Sequence, residues 1–150
     1  MIHTLLTILG VFSLNTANTT IAFEAEKGKE LKIAYYGSRV DNLDQIKDAG
    51  FASVSAYPAY GLIGEKEAAI SAMQADGNPT LDLRVEDYSI GQWENGEILC
   101  VSSKDSHYPF FVNNYFKSYR EQDMIETWVE IVNKGRKTVT PVSYTHLTLP

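Results

Sequence analysis

The stretch YPFFVNNYFKSYREQDMIETWVEIVN, residues 108–133, decides the fold class. Its first half is rich in aromatic residues, which fit the half-buried, pleated surface of a β-sheet. The polar segment REQD then provides a turn, and MIETWVEIVN alternates between two faces. One face carries Ile125, Thr127, Val129 and Ile131, and the other carries Glu126, Trp128, Glu130 and Val132. The stretch therefore predicts two antiparallel strands, each about ten residues long, joined by a short turn.

Segments outside this hairpin have the same strand character. TTIAFEAE (19–26) alternates apolar and polar residues, KGKE provides a charged turn, and LKIAYY (31–36) completes a second hairpin. Further strands are predicted at AAISAMQ (68–74), TLDLRVEDYSI (80–90), EILCVSS (97–103) and, where the next one begins, TVT (138–140). Strands of this length and spacing are typical of a large, twisted antiparallel β-sandwich, so the predicted fold class is all-β.

Only one helix is predicted, and it is short. In RVDNLDQIKDAG (39–50), Val40, Leu43 and Ile46 recur at helical spacing and Gly50 fits a C-cap. The following SAYPAYGLIG (55–64) combines aromatic residues with Pro and Gly and is predicted to be an ordered loop.

Composition narrows the range of functions. The 150 residues leave room for one domain with a hydrophobic core. A formal net charge of −6 disfavours a phosphate-neutralising surface, so no nucleic-acid partner is expected. Cys100 is the single cysteine, which excludes an internal disulfide and a cysteine-based zinc site. It lies in the apolar run ILCV and is predicted to be a small buried hydrophobe rather than a nucleophile.

The beginning of the chain has two interpretations. Residues 1–13, MIHTLLTILGVFS, contain an apolar run similar to that of a signal peptide, without a positively charged start or a small-x-small cleavage site. They form either a partial signal or leader, or a first strand. We favour a periplasmic or secreted location, with a cytoplasmic one as the alternative. The run is too short to span a bilayer, so no membrane span is expected.

The end of the chain also has two interpretations. Residues 142–150, VSYTHLTLP, resemble the translation of a transposon adapter used in preparing DNA libraries. We therefore predict that residues 141–150 are a non-native tail, that the domain covers residues 14–140, and that the natural sequence continues past Thr140. His146 would then belong to no site. The alternative is a final strand rich in Ser and Thr.

No catalytic or metal-binding motif is present. His3, His107 and His146 lack the spacing of a zinc site, and the chain has no nucleophile elbow and no phosphate-binding glycine loop. ADGN (75–78) could be a hairpin turn, a calcium loop or a sugar-binding edge. A turn is favoured, because Asp and Asn bond to nearby backbone, Gly accepts a positive φ, and the downstream calcium ligands are missing.

Carboxylates and aromatic residues are the remaining candidates for chemistry. Two pairs share a strand face and are predicted to be solvated, namely Asp82 with Glu86 and Glu126 with Glu130. Most strand aromatics are predicted to be core residues or cross-strand pairs. The exception is the loop that holds Tyr57, Pro58 and Tyr60, which we predict to be substrate-proximal.

Four segments in this order resemble the N-terminal domain of glycoside hydrolase family 36, the α-galactosidase-like enzymes. They are YYGSRV, SAYPAYG, AAISAMQADGNPTLDL and YPFFVNNYFKSYREQDMIETWVEIVNKGRKTVT. Bacterial members have a similar AYP-x-[FY]-G loop, ADGN turn with a T-x-L strand, and Y-x-AY-x-x-x-D-VI-x-x-W-x-x-I hairpin. These fall here at residues 56–61, 75–83 and 115–131. The resemblance covers about residues 14–140.

The resemblance implies a β-sandwich that precedes a (β/α)8 barrel. That barrel would carry two catalytic aspartates, a nucleophile and an acid/base, and release terminal α-linked galactose with retention. On this expectation the chain ends before the barrel and contains no catalytic residue, and no metal or cofactor is expected. Galactosides would bind through the barrel, and the full-length enzyme would form a homo-oligomer.

Loops of this domain help to wall the active site in some relatives. The matching loop here is 41–61, and it is followed by LIGEKEAA (62–69) where many members have an acidic-aromatic-Arg segment. Two alternatives of another class remain. The chain could be a free-standing carbohydrate-binding sandwich that uses Tyr57, Tyr60, Trp93 and Trp128, or an oligomerisation module.

Overall fold

The computed structural model describes residues 10–48, 53–61 and 68–144. The strands in these ranges are β1 Val11–Asn15, β2 Thr19–Glu24, β3 Lys32–Ser38, β4 Val54–Ser55, β5 Ile70–Met73, β6 Leu83–Trp93, β7 Gly96–Asp105, β8 Phe110–Tyr119, β9 Met124–Asn133 and β10 Thr140–Tyr144, and the helix is α1 Leu43–Asp48. One sheet has the order β1-β2-β3-β4 and a second the order β6-β7-β8-β9, while β10 pairs with β5. Every one of these strand pairs is antiparallel.

The β8–β9 hairpin has an unbroken register. Phe110 pairs with Asn133 at one end, and Tyr119 pairs with Met124 at the turn. Along β8 every second side chain is buried, as in a strand with one face against the core. Along β9 the inward side chains are only half-buried, because β9 is the last strand of its sheet among the described residues.

The main core lies between the two four-stranded sheets. Phe23 of β2 meets Phe116 of β8 with ring centroids 4.4 Å apart, and Phe12 of β1 stacks on Tyr88 of β6 at 4.8 Å. Aromatic pairs of this kind add about 0.5–1.5 kcal/mol each beyond the area that they bury. The two sheets therefore form the two layers of a sandwich.

A second core cluster supports the loop that was predicted to be substrate-proximal. It lies beneath β5 and the ends of β6 and β8, and its buried members are Tyr57, Ala59, Ala69, Ile70, Ala72, Leu81, Leu83, Phe110 and Val112. The loop thus has apolar residues of its own in the interior, which fixes its position on the sandwich.

A hydrogen-bond network joins the two sheets at their turns. Asp123, in the β8–β9 turn, has a positive φ of 50° and faces the β1–β2 turn. Its carboxylate accepts hydrogen bonds from the Thr16 hydroxyl, from the Asn18 backbone at 3.1 Å and from Asn18 Nδ2 at 3.2 Å. Beside it, Ala17 N donates to the carbonyl of Arg120 over 3.2 Å.

The predicted fold class is confirmed: the protein is an all-β antiparallel sandwich with one short helix among the described residues. The strands predicted at 19–26, 31–36, 68–74 and 97–103 and both strands of the 108–133 hairpin are present with shifts of a few residues at their ends. Gly50, predicted as the C-cap, lies outside the described residues, as do His3 and His146.

Two local predictions need correction. The alternation predicted for TLDLRVEDYSI ends at Val85, because β6 contains an irregularity between Val85 and Asp87. This bulge reverses which residues point inward, so Tyr88 packs against the core. The predicted loop SAYPAYGLIG also contains a strand residue, since β4 Val54–Ser55 pairs with β3 and extends the first sheet.

For each end of the chain, both interpretations given above remain predictions. Val11, the first residue of β1, lies within the stretch interpreted as a leader or first strand. At the other end, β10 extends into the stretch interpreted as a foreign tail or a final strand. Within the described ranges, no helix is long and apolar enough to cross a membrane.

Candidate functional site

The loop at residues 53–61 is held by backbone hydrogen bonds to β5 and to the segment before β6. The carbonyl of Pro58 accepts from Ala69 N over 2.8 Å. Tyr60 N donates to the carbonyl of Ile70 over 3.0 Å, and Leu81 N donates to the carbonyl of Tyr60 over 3.0 Å. The loop is therefore a fixed part of the surface.

Tyr57, the first predicted site residue, points into the protein. It is 6% exposed, and its hydroxyl group has no hydrogen-bond partner among the described residues. Burial raises the pKa of Tyr57 to about 12, because the phenolate would have to form away from water. Asn114 and Ser103, both buried, lie beside it. In this chain Tyr57 is a core residue.

Tyr60, the third predicted site residue, points to the surface and is 49% exposed. Pro58 between them is half-buried. Gly61 follows with a φ of +102°, and a Cβ atom there would lie 2.5 Å from Thr80 Cγ2. Only glycine fits this conformation and this approach. Of the three residues, Tyr60 is the one whose ring a ligand could reach without rearrangement. The segment LIGEKEAA begins next, and its residues 62–67 lie outside the described residues.

The ADGN segment forms the turn that its residue types predict. Gly77 adopts a φ of +85°, and the Asp76 and Asn78 side chains accept from the backbone N–H groups two residues later, at 3.1 Å and 3.0 Å. Tyr108 then fastens the turn to β8, since its hydroxyl group donates to Asp76 Oδ2 over 2.8 Å and accepts from Asn78 Nδ2 over 3.1 Å. The carboxylate of Asp76 holds the turn in place.

A buried carboxylate organises the β7–β8 turn. Asp105, 1% exposed, accepts from the backbone N–H groups of His107 and Tyr108 at 2.9 Å and of Asp82 at 2.8 Å. Ser106 Oγ donates to Asp82 Oδ2 over 2.8 Å and lies 2.8 Å from His107 Nδ1. In a catalytic triad the histidine stands between serine and carboxylate, whereas here the serine stands between the other two. The arrangement is a structured turn.

Among the described residues, neither predicted carboxylate pair converges on one cleft: Glu86 lines a surface pocket without Asp82. Glu126 and Glu130 are exposed on the outer face of β9 and accept from tyrosines of β8, Glu126 from Tyr119 over 2.7 Å and Glu130 from Tyr115 over 3.3 Å. Asp82 forms an ion pair with Arg84 at 2.5 Å. Glycoside hydrolysis requires two carboxyl groups that face one bound sugar. Asp82, Glu126 and Glu130 instead belong to surface networks.

The aromatic residues of the outer sheet face pack against their neighbours. Tyr115 and Trp128 stack with their planes 2° apart and their centroids 4.9 Å apart. Trp93 meets Tyr119 edge-on, and the ammonium group of Lys117 lies 4.1 Å from the centroid of the Trp93 ring. The stack of Tyr115 on Trp128 is a cross-strand pair of the predicted kind, whereas Trp93 and Tyr119 meet across the intervening strand β7. These contacts also occupy ring surface that a sugar platform would leave open.

Cys100 differs from the prediction in its position. It is half-buried on the outer face of β7, opposite Tyr115, and not in the core. Burial raises the pKa of the thiol, which disfavours the thiolate and so agrees with a non-nucleophilic residue. In the part of the chain that the structure describes, no three His, Cys, Asp or Glu side chains are grouped to hold a metal ion.

One set of residues was missed by the sequence analysis. Gln74, Asp76, Tyr108, Asn133, Arg136 and Lys137 line a single groove between the ADGN turn and the turn between β9 and β10. The sequence feature that could have indicated this groove is NKGRK (133–137), which places three cations within four residues of an acidic protein.

Comparison with known proteins defines the class of this chain. Residues 29–150 match the glycosyl hydrolase family 36 N-terminal domain. The protein therefore belongs to this family of N-terminal domains, as the resemblance of its sequence indicated. No curated protein matches the chain.

Several solved α-galactosidases contain a domain with this fold. A variant of the Geobacillus stearothermophilus enzyme AgaA, in complex with 1-deoxygalactonojirimycin, superposes with a TM-score of 0.78 at 16% identity. The α-galactosidase from Lactobacillus brevis gives 0.75 at 17%, and the galactosidase domain of the α-galactosidase-sucrose kinase AgaSK gives 0.77 at 21%. Each match covers 89% of this chain but 23% of the other chain. At these identities the likeness concerns the fold.

Proposed function

We propose that this chain is the non-catalytic N-terminal domain of an α-galactosidase. The enzyme would hydrolyse terminal α-linked galactose by a retaining mechanism, with two aspartates supplied by a (β/α)8 barrel outside this chain. The match of residues 29–150 to the family domain carries the proposal. It is supported by the surface networks that engage Asp82, Glu126 and Glu130.

The chemistry of a retaining glycosidase explains how the roles of the barrel and of the sandwich domain would differ. A retaining glycosidase needs a nucleophile and an acid/base separated by about 5–5.5 Å, so that the nucleophile can reach the anomeric carbon. A rigid sandwich can contribute substrate contacts and exclude water without taking part in bond breaking. The loop 53–61 suits this role, because it is fixed by backbone bonds and presents Tyr60 at the surface.

The first experiment is a long genomic read through the codon for Thr140. The proposal expects an open frame that continues for several hundred residues with alternating strands and helices. The 150-residue chain and the extended protein are then assayed on a chromogenic α-galactoside. Activity in the extended protein alone, lost on replacing either of two barrel aspartates by asparagine, is the expected result.

Two results would overturn the proposal. One is a stop codon directly after Pro150, which would leave the chain without a barrel. The other is an extended protein that folds but does not cleave α-galactosides. The alternative of a free-standing sugar-binding module predicts a saturable change in tryptophan fluorescence when the 150-residue chain is titrated with galactosides. The engaged rings of Trp93 and Trp128 favour no such change.

A further inference from the structure

A groove of about 180 Å³ lies between two turns that are distant in sequence. One wall is the ADGN turn after β5, and the other is the turn between β9 and β10. Tyr108 and Pro109 lie between them, at the start of β8. All residues that line the groove precede position 140. Its size suits a single sugar ring or a molecule of similar volume.

Both walls are held by hydrogen bonds within the protein. On one side, Gln74 N donates to the carbonyl of Asn78 over 2.9 Å, and Tyr108 holds Asp76. On the other side, Asn133 Nδ2 donates to the carbonyl of Lys137 over 2.9 Å and Asn133 Oδ1 accepts from Gly135 N over 2.9 Å. A ligand would therefore enter a formed site and would not have to order two loops, which removes a large part of the cost of binding.

The groove brings together two cations whose side chains form no hydrogen bond or close ion pair and a carboxylate that is only partly used. The charge of Lys137 also helps to lower the pKa of that carboxylate, Asp76. Arg136 and Lys137 are exposed, and within the described ranges their side chains make no hydrogen bond or ion pair. Each oxygen of Asp76 accepts one hydrogen bond, so each keeps a free lone pair. The hydrogen bond from Tyr108, followed by that from Asn78 N, lowers the pKa of Asp76, which is therefore ionised at neutral pH.

Gln74 provides a second, independent indication of a ligand. Its side chain is 4% exposed and lines the groove, yet its Nε2 atom has no hydrogen-bond partner in the part of the chain that the structure describes. A buried donor without an acceptor destabilises the protein, because it has lost its hydrogen bonds to water without replacement. The terminal torsion of glutamine is soft, so a small rotation can present the amide to an acceptor in the groove.

We propose that this groove binds a small hydroxylated anion of the size of one sugar ring. Its carboxylate or phosphate group would accept hydrogen bonds from Arg136 and Lys137, and one of its hydroxyl groups would donate to Asp76. Gln74 would donate to a further oxygen atom, while Pro109 and Val139 supply apolar contact. This site goes beyond the proposed function and does not rest on it, because it uses neither the loop 53–61 nor a barrel.

The test is an NMR titration of the isotope-labelled 150-residue chain. Glucuronate and glucose 6-phosphate distinguish a carboxylate from a phosphate as the bound group, glucose lacks the charge, and acetate lacks the hydroxyl groups. We expect saturable shifts of the Gly77 and Gly135 amide signals with one or both sugar anions, at dissociation constants of about 1 mM. Glucose and acetate should bind at least about tenfold more weakly.

Matched variants locate the binding. The double variant Arg136→Gln/Lys137→Gln should weaken binding of the sugar anion about 10- to 100-fold, since it removes charge-assisted hydrogen bonds. Lys134→Gln removes a cation from the same turn whose ammonium group lies over the Phe111 ring, 4.3 Å from its centroid, and should leave the affinity unchanged within about twofold. Circular dichroism checks that each variant is folded.

Several results would overturn the inference. These are the absence of saturable shifts with both sugar anions, shifts confined to amides away from the groove, and equal affinity for glucose or acetate. Equal loss of affinity in Lys134→Gln and in the double variant would also overturn it, because binding would then reflect the general charge of the turn.

Discussion

The hydroxyl group of Tyr108 donates to Asp76 Oδ2 over 2.8 Å and thereby connects the ADGN turn to the start of β8. The same hydroxyl accepts from Asn78 Nδ2 over 3.1 Å, so one phenol bridges two residues of the turn. The ADGN segment, for which the sequence offered three interpretations, is thus a structural turn. The carboxylate of Asp76 is held at one wall of the groove.

Replacing Tyr108 by phenylalanine should raise the pKa of Asp76 toward its ordinary value of 3.8, since the hydrogen bond from Tyr108 is the largest cause of the lowering. Removal of the bridge should also speed hydrogen exchange at Gly77, whose N–H donates to the carbonyl of Gln74 over 2.9 Å. Carbon-detected NMR titration of the carboxylate measures the first effect, and native-state exchange measures the second.

Tyr60→Phe is the matched control for this change. The Tyr60 hydroxyl group forms no hydrogen bond within the described residues, and Tyr60 lies in the loop at residues 53–61. We expect the same Asp76 pKa in this variant and in the unmodified chain. An Asp76 pKa that is unchanged in Tyr108→Phe would contradict the proposed bridge.

Asp123 should make stability depend on pH. The hydrogen bonds from Thr16 and Asn18 lower the pKa of Asp123 below 3.8 in the folded protein. A carboxyl group with a lowered folded-state pKa contributes stability that is fully present above the unfolded-state pKa. This contribution is lost as the pH falls through the folded-state pKa. The unfolding free energy of the unmodified chain should therefore exceed that of Asp123→Asn at pH 6, and the difference should shrink below pH 3.8.

Asparagine is a suitable replacement because it tolerates the positive φ of 50° at this position. Urea denaturation at several pH values measures the difference. Glu121→Gln serves as the control, since it removes one negative charge from the same turn and leaves the network with Thr16 intact. A pH-dependent difference of equal size in the control would refute the role assigned to the network.

The sequence predicted the sandwich well because strand alternation is a local signal that the burial of one sheet face creates. Ile125, Val129 and Ile131, which the alternation of β9 places on one face, all pack against the core. The bulge at Val85 was not predictable, since the register of β6 depends on its pairing with β7. The inward direction of Tyr57 depends on the pairing of Ala59 with Ile70, and the groove depends on two turns that only the fold brings together.

Gly61→Ala should destabilise the loop at residues 53–61. The φ of +102° is strained for alanine, and the new Cβ atom would lie 2.5 Å from Thr80 Cγ2. We expect a loss of about 1–3 kcal/mol in the free energy of unfolding. The double variant Gly61→Ala/Thr80→Gly removes the collision but keeps the strain, so it should recover part of the loss relative to Thr80→Gly alone. If urea denaturation shows that the effects of the two substitutions on the free energy of unfolding are fully additive, the contact between positions 61 and 80 is absent.

Tyr57 offers the sharpest test of whether the predicted site loop is core or surface. Because its hydroxyl group is buried without a partner, Tyr57→Phe should leave the free energy of unfolding within about 1 kcal/mol of the unmodified chain or increase it. Tyr57→Ala should cost about 3–5 kcal/mol, since it empties a packed position. The raised pKa of about 12 adds a spectroscopic check: alkaline titration of the folded chain should leave Tyr57 protonated until the sandwich unfolds. A clear loss of stability in Tyr57→Phe would mean that the hydroxyl group has a partner and that the loop is oriented differently.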